Sequence, residues 1–166
     1  MNIRRAQPGD IPALIRLLHQ VGQVHHRIRP DIFRPAALKY SPVELEALLK
    51  DPVRPVFVAE ESDRILGYCF CVIKDYTLST VQTARRELYI DDLCVEESCR
   101  NRQVGTRLFD HACAFGTEQG CAFVSLNVWC GNDPAMAFYE HRGLTPRHIM
   151  MEYPLQDLPN GGCHAE

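Results

Sequence analysis

The chain of 166 residues is predicted to fold as one mixed α/β (α+β) domain, with a mixed central sheet of roughly six to seven strands flanked by about four helices. Three observations predict it. Apolar runs of strand length are separated from runs whose apolar residues recur every three or four positions. Turn residues and helix-capping patterns fall between those runs. The resulting order is strand, two helices, three strands, helix, strand, helix, strand, with no repeat or low-complexity segment. A chain of this length can bury a substantial core. The domain is expected to span residues 1–155, with 156–166 as a flexible tail.

Ile3–Arg5 reads as a short edge strand. Asp10 can cap the helix that follows, and Pro12 is tolerated in its first turn. Ile11, Leu14, Ile15, Leu18 and Val21 give that helix one apolar face. Pro30 and Pro35 make residues 29–35 an irregular loop. His25 and His26 are neighbours that do not share a helix face, so they read as a solvated helix end. Phe33 reads either as a core plug or as the wall of a substrate pocket. Ser41, Pro42 and Glu44 form a capping box with proline at the first helical position, and Leu45, Leu48 and Leu49 face inward from the helix it opens. Val56–Glu60 and Ile65–Ile73 are strands joined by a tight turn at Ser62 and Asp63. Residues 74–86 form the tip of the next connection, and Glu87–Val95 completes a three-strand meander. Val104, Leu108, Ala112 and Phe115 mark a long helix closed by Gly120. Ala122–Val128 is a further strand. Asp133 and Pro134 begin a helix that stops at Gly143, and His148–Tyr153 is expected as the last strand.

Lys and Arg total 18 against 21 Asp and Glu, a net charge of −3. That balance argues against nucleic acid or an anionic membrane as the main partner. No apolar run approaches the roughly 20 residues of a membrane span, and the first residues lack the apolar segment of a secretory signal. A soluble cytoplasmic protein is the expectation. The eight cysteines contain no Cys-x-x-Cys pair, so they read as buried, reduced thiols, with no metal site expected.

The most informative stretch is Leu88–Leu108. A strand-like run carrying Asp91 and Asp92 leads into a basic, glycine-containing turn and then directly into a helix. The first amides of a helix lack internal partners, and its dipole favours negative charge there. Gly105 would let a phosphate approach the backbone closely. The absence of Gly-Lys-Ser/Thr argues against a P-loop.

The element order and two motifs resemble the GNAT N-acetyltransferase superfamily, over Ile3–Leu155. The family's acyl-CoA loop reads Gln or Arg, two residues, Gly, one residue, then Gly or Ala; here Arg100 and Gly105 fit, and Gln103 stands at the first glycine. The second motif, Asn132–Gly143 with Ala135, Phe138 and Tyr139, looks like the family's Asn…Ala…Phe-Tyr…Gly helix. The resemblance implies that two central strands splay apart to form an acyl-CoA cleft. Acetyl-CoA would be the co-substrate, its pantetheine arm pairing with the backbone near Leu93, Cys94 and Val95. The amides of Gln103, Val104, Gly105 and Thr106, with Arg100 and Arg102, would hold the pyrophosphate, and Asn132 belongs to the same cofactor-binding set.

It further implies direct attack of an amine on the thioester, with a backbone amide near Leu93 or Cys94 polarising the carbonyl. Tyr139 is the expected proton donor to the departing thiolate. Glu87, Asp91 and Asp92 are the candidate bases. Neighbours on a regular strand face opposite sides, so Asp91 and Asp92 can line one cleft together only if a bulge intervenes. Tyr89–Val95 with Phe138, Tyr139, Arg142 and Gly143 is also similar to the spermidine/spermine and thialysine acetyltransferase branch, where acidic residues at the Asp91 and Asp92 positions face a cationic amine. A peptide N-terminus, an aminoglycoside and an amino acid are the alternative acceptors, dimers are common in the resembling family, and the rival readings are a non-catalytic acyl-CoA-binding regulatory module and a protein N-terminal or lysine acetyltransferase.

Overall fold

Residues 1–156 are described by the structure, a computed structural model; Cys163 and the expected tail from residue 157 lie outside the described residues. In chain order the elements are β1 (Asn2–Arg5), α1 (Ile11–Ile28), α2 (Pro42–Leu48), β2 (Val56–Glu61), β3 (Arg64–Asp75), β4 (Arg86–Val95), α3 (Val104–Glu118), β5 (Cys121–Leu126) and α4 (Asp133–His141), with 3-10 turns at Pro8–Asp10 and Glu97–Cys99. They group into two compact units. The first holds Met1–Val21 and Leu38–Asn127, the second Gly22–Ala37 and the chain from Val128.

The first unit contains a five-stranded sheet in the order β1-β2-β3-β4-β5. The β1–β2, β2–β3 and β3–β4 pairs are antiparallel, and β4–β5 is parallel. A parallel pair needs a long crossover, and α3 supplies it. The meander and the edge position of β1 are as the sequence predicts. Ser62 and Asp63, at φ 49° and 59°, make the tight β2–β3 turn; two positive φ values match the right-handed twist of a hairpin. The capping box at Ser41 forms, with the Glu44 amide donating to Ser41 Oγ at 3.3 Å and the Ser41 amide to Glu44 Oε2 at 2.7 Å. Asp10 differs from expectation: its carboxylate accepts from the Gln7 amide at 2.8 Å and from Arg4, closing the 3-10 turn that precedes α1.

The core forms where apolar faces meet. Leu14, Leu17 and Leu18 of α1, Leu45 and Leu48 of α2, and Val56, Val58, Tyr68 and Phe70 of the sheet are buried together. Each such side chain contributes roughly 1.5–3 kcal/mol on leaving water. Gly67 is a packing glycine. A Cβ there would lie 2.6 Å from the carbonyl oxygen of Cys94 and 3.3 Å from the Cα of Val95.

Two expectations are corrected. The sheet has five strands among the described residues, rather than six to seven, and β5 is an edge strand rather than a central one. The missing strand is His148–Tyr153, which is exposed and irregular. Ile149, Met150 and Met151 are consecutive apolar residues without the alternation that buries one face of a strand, and all three stay exposed.

In the second unit the end of α1 and the loop after it pack against one another. Arg29 is buried and bidentate to Asp31, Nε–Oδ1 2.9 Å and Nη2–Oδ2 2.6 Å, and its Nη1 reaches Glu152 Oε1 at 2.6 Å. The guanidinium holds the Asp31 carboxyl below the usual carboxylate range. Phe33 lies 5.0 Å from the His25 ring and 5.1 Å, edge-on, from Trp129, and its carbonyl is 2.7 Å from His26 Nδ1. The histidines are thus packed around Phe33 instead of forming a solvated helix end. Asn132, not Asp133, is the N-cap of α4, and Gly143 at φ 86° closes it.

Candidate functional site

Strand β4 changes character halfway along. From Arg86 to Ile90 it pairs with β3 on one side and with β5, Cys121 to Leu126, on the other. Past Ile90 it continues to Val95 against β3, while β5 has ended at Leu126. One edge of Asp91–Val95 is therefore left without a strand partner in the described sheet, a gap that an extended ligand can fill by adding its own hydrogen bonds. Gln20 closes part of that edge. Its Nε2 donates to the Val95 carbonyl at 2.9 Å and its Oε1 accepts from the Glu97 amide at 3.1 Å, so the Val95 carbonyl expected to meet a cofactor is already engaged.

The change coincides with a bulge. Cys71 opposes Ile90 and Phe70 opposes Asp92, leaving Asp91 as the extra residue. A bulge re-aims neighbouring side chains, and both carboxylates here reach one aromatic row. Tyr40 stacks on Phe70 at 5.6 Å and Tyr68 meets Phe70 edge-on at 4.8 Å. The Tyr40 hydroxyl donates to Asp91 Oδ2 at 2.9 Å, and the Tyr68 hydroxyl donates to Asp92 Oδ2, also at 2.9 Å. Arg54 donates to the Tyr40 oxygen at 3.0 Å. Lys39 completes the cluster. Its Nζ is 2.8 Å from Asp91 Oδ2 and 3.0 Å from the Asp91 carbonyl oxygen.

These surroundings set the proton affinities. Burial, opposed by the Lys39 charge and the Tyr68 hydroxyl, pushes the Asp92 carboxyl up to about 6. Burial and the Asp91 charge push the Tyr40 phenol up to about 12. Tyr68, fully buried and facing Asp92, lies well above its ordinary value. Burial likewise takes the Cys94 thiol up to about 12, which keeps it protonated and inert. Glu87 sits apart in the doubly paired half of β4. It is buried, accepts a hydrogen bond from Ser125 Oγ and lies 3.8 Å from Arg85.

The strand then feeds the expected anion site. Asn101 and Gln103 adopt left-handed φ of 62° and 61°, conformations that cost a non-glycine residue about 1–3 kcal/mol each. Gln103 thus takes up a left-handed backbone geometry that glycine would adopt freely. It is the N-cap of α3, with no side-chain cap bond. The first internal bond is Arg107 N–H to the Gln103 carbonyl at 3.0 Å, so the amides of Val104, Gly105 and Thr106 precede the helical ladder, as anion recognition requires. Arg102 and Arg100 point to protein carboxylates: Arg102 Nη2 is 2.6 Å from Glu61 Oε2, and Arg100 Nη1 is 3.7 Å from Glu97 Oε1. Both are exposed ion pairs that a phosphate can outcompete.

Leu93, Cys94, Val95, Arg100, Arg102, Gln103, Val104, Gly105 and Thr106 are thus carried by one strand–loop–helix of the first unit, together with Glu87, Asp91 and Asp92. Tyr139 and Asn132 belong to the second unit. Tyr139 is half-buried on α4, its ring 5.1 Å from that of Phe138. Sequence reasoning missed Lys39, Tyr40, Arg54, Tyr68 and Gln20. Only Tyr68 carried a signal, as a hydroxyl within an otherwise apolar strand.

Residues 21–144 match the acetyltransferase (GNAT) family, and the chain belongs to it. Its fold and its membership of a family of acyltransferases follow. Among solved structures, a mutant of the BH1408 protein from Bacillus halodurans is 30% identical with a TM-score of 0.89, covering 94% of this chain and 100% of that one. Two others share the fold at greater distance. The aminoglycoside acetyltransferase meta-AAC0020 from an uncultured soil metagenomic sample, in complex with sisomicin, is 20% identical with a TM-score of 0.69, over 93% of this chain and 96% of that one. The aminoglycoside N-acetyltransferase AAC(6')-Iy in complex with CoA is 16% identical with a TM-score of 0.70, over 94% of this chain and 100% of that one. Among curated proteins no significant match is found.

Proposed function

We propose that the protein is an acetyl-CoA-dependent N-acetyltransferase that acts by direct attack of a primary amine of a small molecule or peptide. The observation that carries this reading is the open edge of β4 at Asp91–Val95, continuous with the uncapped N-terminus of α3. An extended amide-bearing arm fits the first and a pyrophosphate fits the second. When bound, acetyl-CoA supplies an activated acetyl group. The residues do the rest. Amides of Gln103 to Thr106, with Arg100 and Arg102, bind the phosphates, and Asn132 belongs to the same binding set. The amide of Leu93 or Cys94 polarises the carbonyl. An alkyl ammonium, near ~10.4, must lose its proton before attack. Asp92, at about 6, is largely ionised at neutral pH and receives that proton through water. Tyr139 donates a proton to the leaving sulfur.

The acceptor is a cation. Asp91 presents a partly exposed carboxylate at the edge with the buried Asp92 carboxyl next to it in the strand, and two relatives sharing the fold are aminoglycoside acetyltransferases, one in complex with sisomicin. Polyamines, as in the branch that Tyr89–Val95 resembles, are the second class. No helix among the described residues is long and apolar enough to cross a membrane, and seven free cysteines among them support a reducing compartment such as the cytoplasm.

The test is thiol release from acetyl-CoA against aminoglycosides, polyamines, lysine analogues, amino acids and short peptides. Turnover of a multiply charged amine, lost in Tyr139→Phe, is expected. Tight CoA binding with no turnover across the panel would instead favour a binding module, and full turnover in Tyr139→Phe would remove that tyrosine as the acid.

A further inference from the structure

The geometry points to Lys39 as an acetyl acceptor within the chain itself, held by Asp91 at the open edge of β4. This inference rests on the transferase reading above. Lys39 Nζ donates to Asp91 Oδ2 at 2.8 Å and to the Asp91 carbonyl at 3.0 Å, so its ammonium stands at the bulged residue where the strand edge opens. Its side chain is 39% exposed, so solvent and acetyl-CoA can reach it, and the Tyr40 ring lies 5.7 Å from its charge. An acceptor ammonium in the proposed reaction needs the same things: a carboxylate, an aromatic face and the edge of β4 beside it. The chain thus places one of its own amines on the carboxylate proposed above to receive a substrate amine. Transfer balances simply. The Lys39 ammonium gives a proton to a carboxylate or water, its nitrogen forms the C–N bond to the acetyl carbon, the C–S bond breaks, and CoA leaves as the thiolate and takes up a proton. The product carries no charge, so Asp91 keeps the Tyr40 hydroxyl but loses its cationic partner, whose place an external cation can take.

The experiment incubates the full chain with acetyl-CoA and no added amine, and follows acetylation of Lys39, Lys50 and Lys74 by peptide mass mapping. Lys39 is expected to react more than about tenfold faster than the other two, as a positioned nucleophile does, with a rate constant independent of protein concentration. Asp91→Asn should bring Lys39 to the rate of Lys50. A second readout needs no acetyl-CoA: in protein carrying isotopically labelled methyl groups on its lysines, only the Lys39 signal should move when methylammonium is added. Equal labelling of all three lysines overturns the inference. So does an unmodified Lys39 in a preparation that releases thiol once an amine is supplied, and that result leaves the transferase reading intact. Absence of CoA binding by calorimetry would sink both.

Discussion

Arg86–Ile90 and Asp91–Val95 are halves of one strand, and they treat charge in opposite ways. The first half is paired on both sides, with Leu88 fully buried and the Glu87 carboxylate held by Ser125 and Arg85. Those partners lie on β5 and in the loop just before β4, so the charge is closed by its immediate neighbours. The second half has lost one neighbour and gained a bulge. Its two carboxylates are held by Tyr40, Tyr68 and Lys39. One of these partners is a partly exposed ammonium from a loop distant in sequence. A charge closed by the sheet serves the fold, whereas a charge held by a displaceable partner is available to chemistry.

The largest expected effect tests the second half. Asp92→Asn should lower kcat/KM by about 10²–10⁴-fold, the usual worth of a general base, while the melting temperature holds or rises because a buried charge has been removed. A variant that turns over normally would move the base elsewhere. The pH dependence follows from the sign of the shift. The Asp92 carboxyl lies at about 6 in the fold, above its ordinary ~3.9, so the native state binds more protons between these values. Its contribution to stability is therefore greatest at low pH and falls as pH rises from about 4 to about 6. The asparagine variant should lack that slope, while the rate in the wild type should rise through the same upper value.

Next in size is a break in the first half. Leu88→Ala should cost about 2–5 kcal/mol of stability through the cavity it leaves, read in a denaturant titration, with acceptor preference unchanged among the molecules that remain folded. A marginal loss would mean that this half of β4 is less tightly packed than its burial indicates.

The smallest effect sharpens the boundary. Tyr68→Phe removes the donor to Asp92 and should displace the rising limb of the pH–rate profile upward, at a stability cost of about 0.5–1.5 kcal/mol. An unmoved profile would separate Tyr68 from the titrating group.

Much of this was legible in the sequence because it is local. The capping box at Ser41, the β2–β3 turn, the apolar face of α3 and the strand–loop–helix around Gln103 each follow from residues a few positions apart. The bulge was legible only as a condition on Asp91 and Asp92, since it depends on register with β3. Gln103 hid its left-handed backbone behind a residue type that rarely adopts it. Lys39 and Tyr40 lie more than 50 residues from Asp91, and no periodicity relates positions joined only through tertiary packing. His148–Tyr153 misled in the other direction, because apolar composition without alternation does not define a sheet face.

Gly67 shows where a search for new acceptors would be blocked. A methyl group there would fall 2.6 Å from the carbonyl of Cys94, so even alanine would have to push aside the strand that carries both carboxylates. Libraries randomised at Lys39 and its neighbours should yield many active variants. The same diversity introduced at residue 67, which lies on β3 opposite Val95, should yield almost none: the spacing of the two strands is dictated by an atom the protein does without.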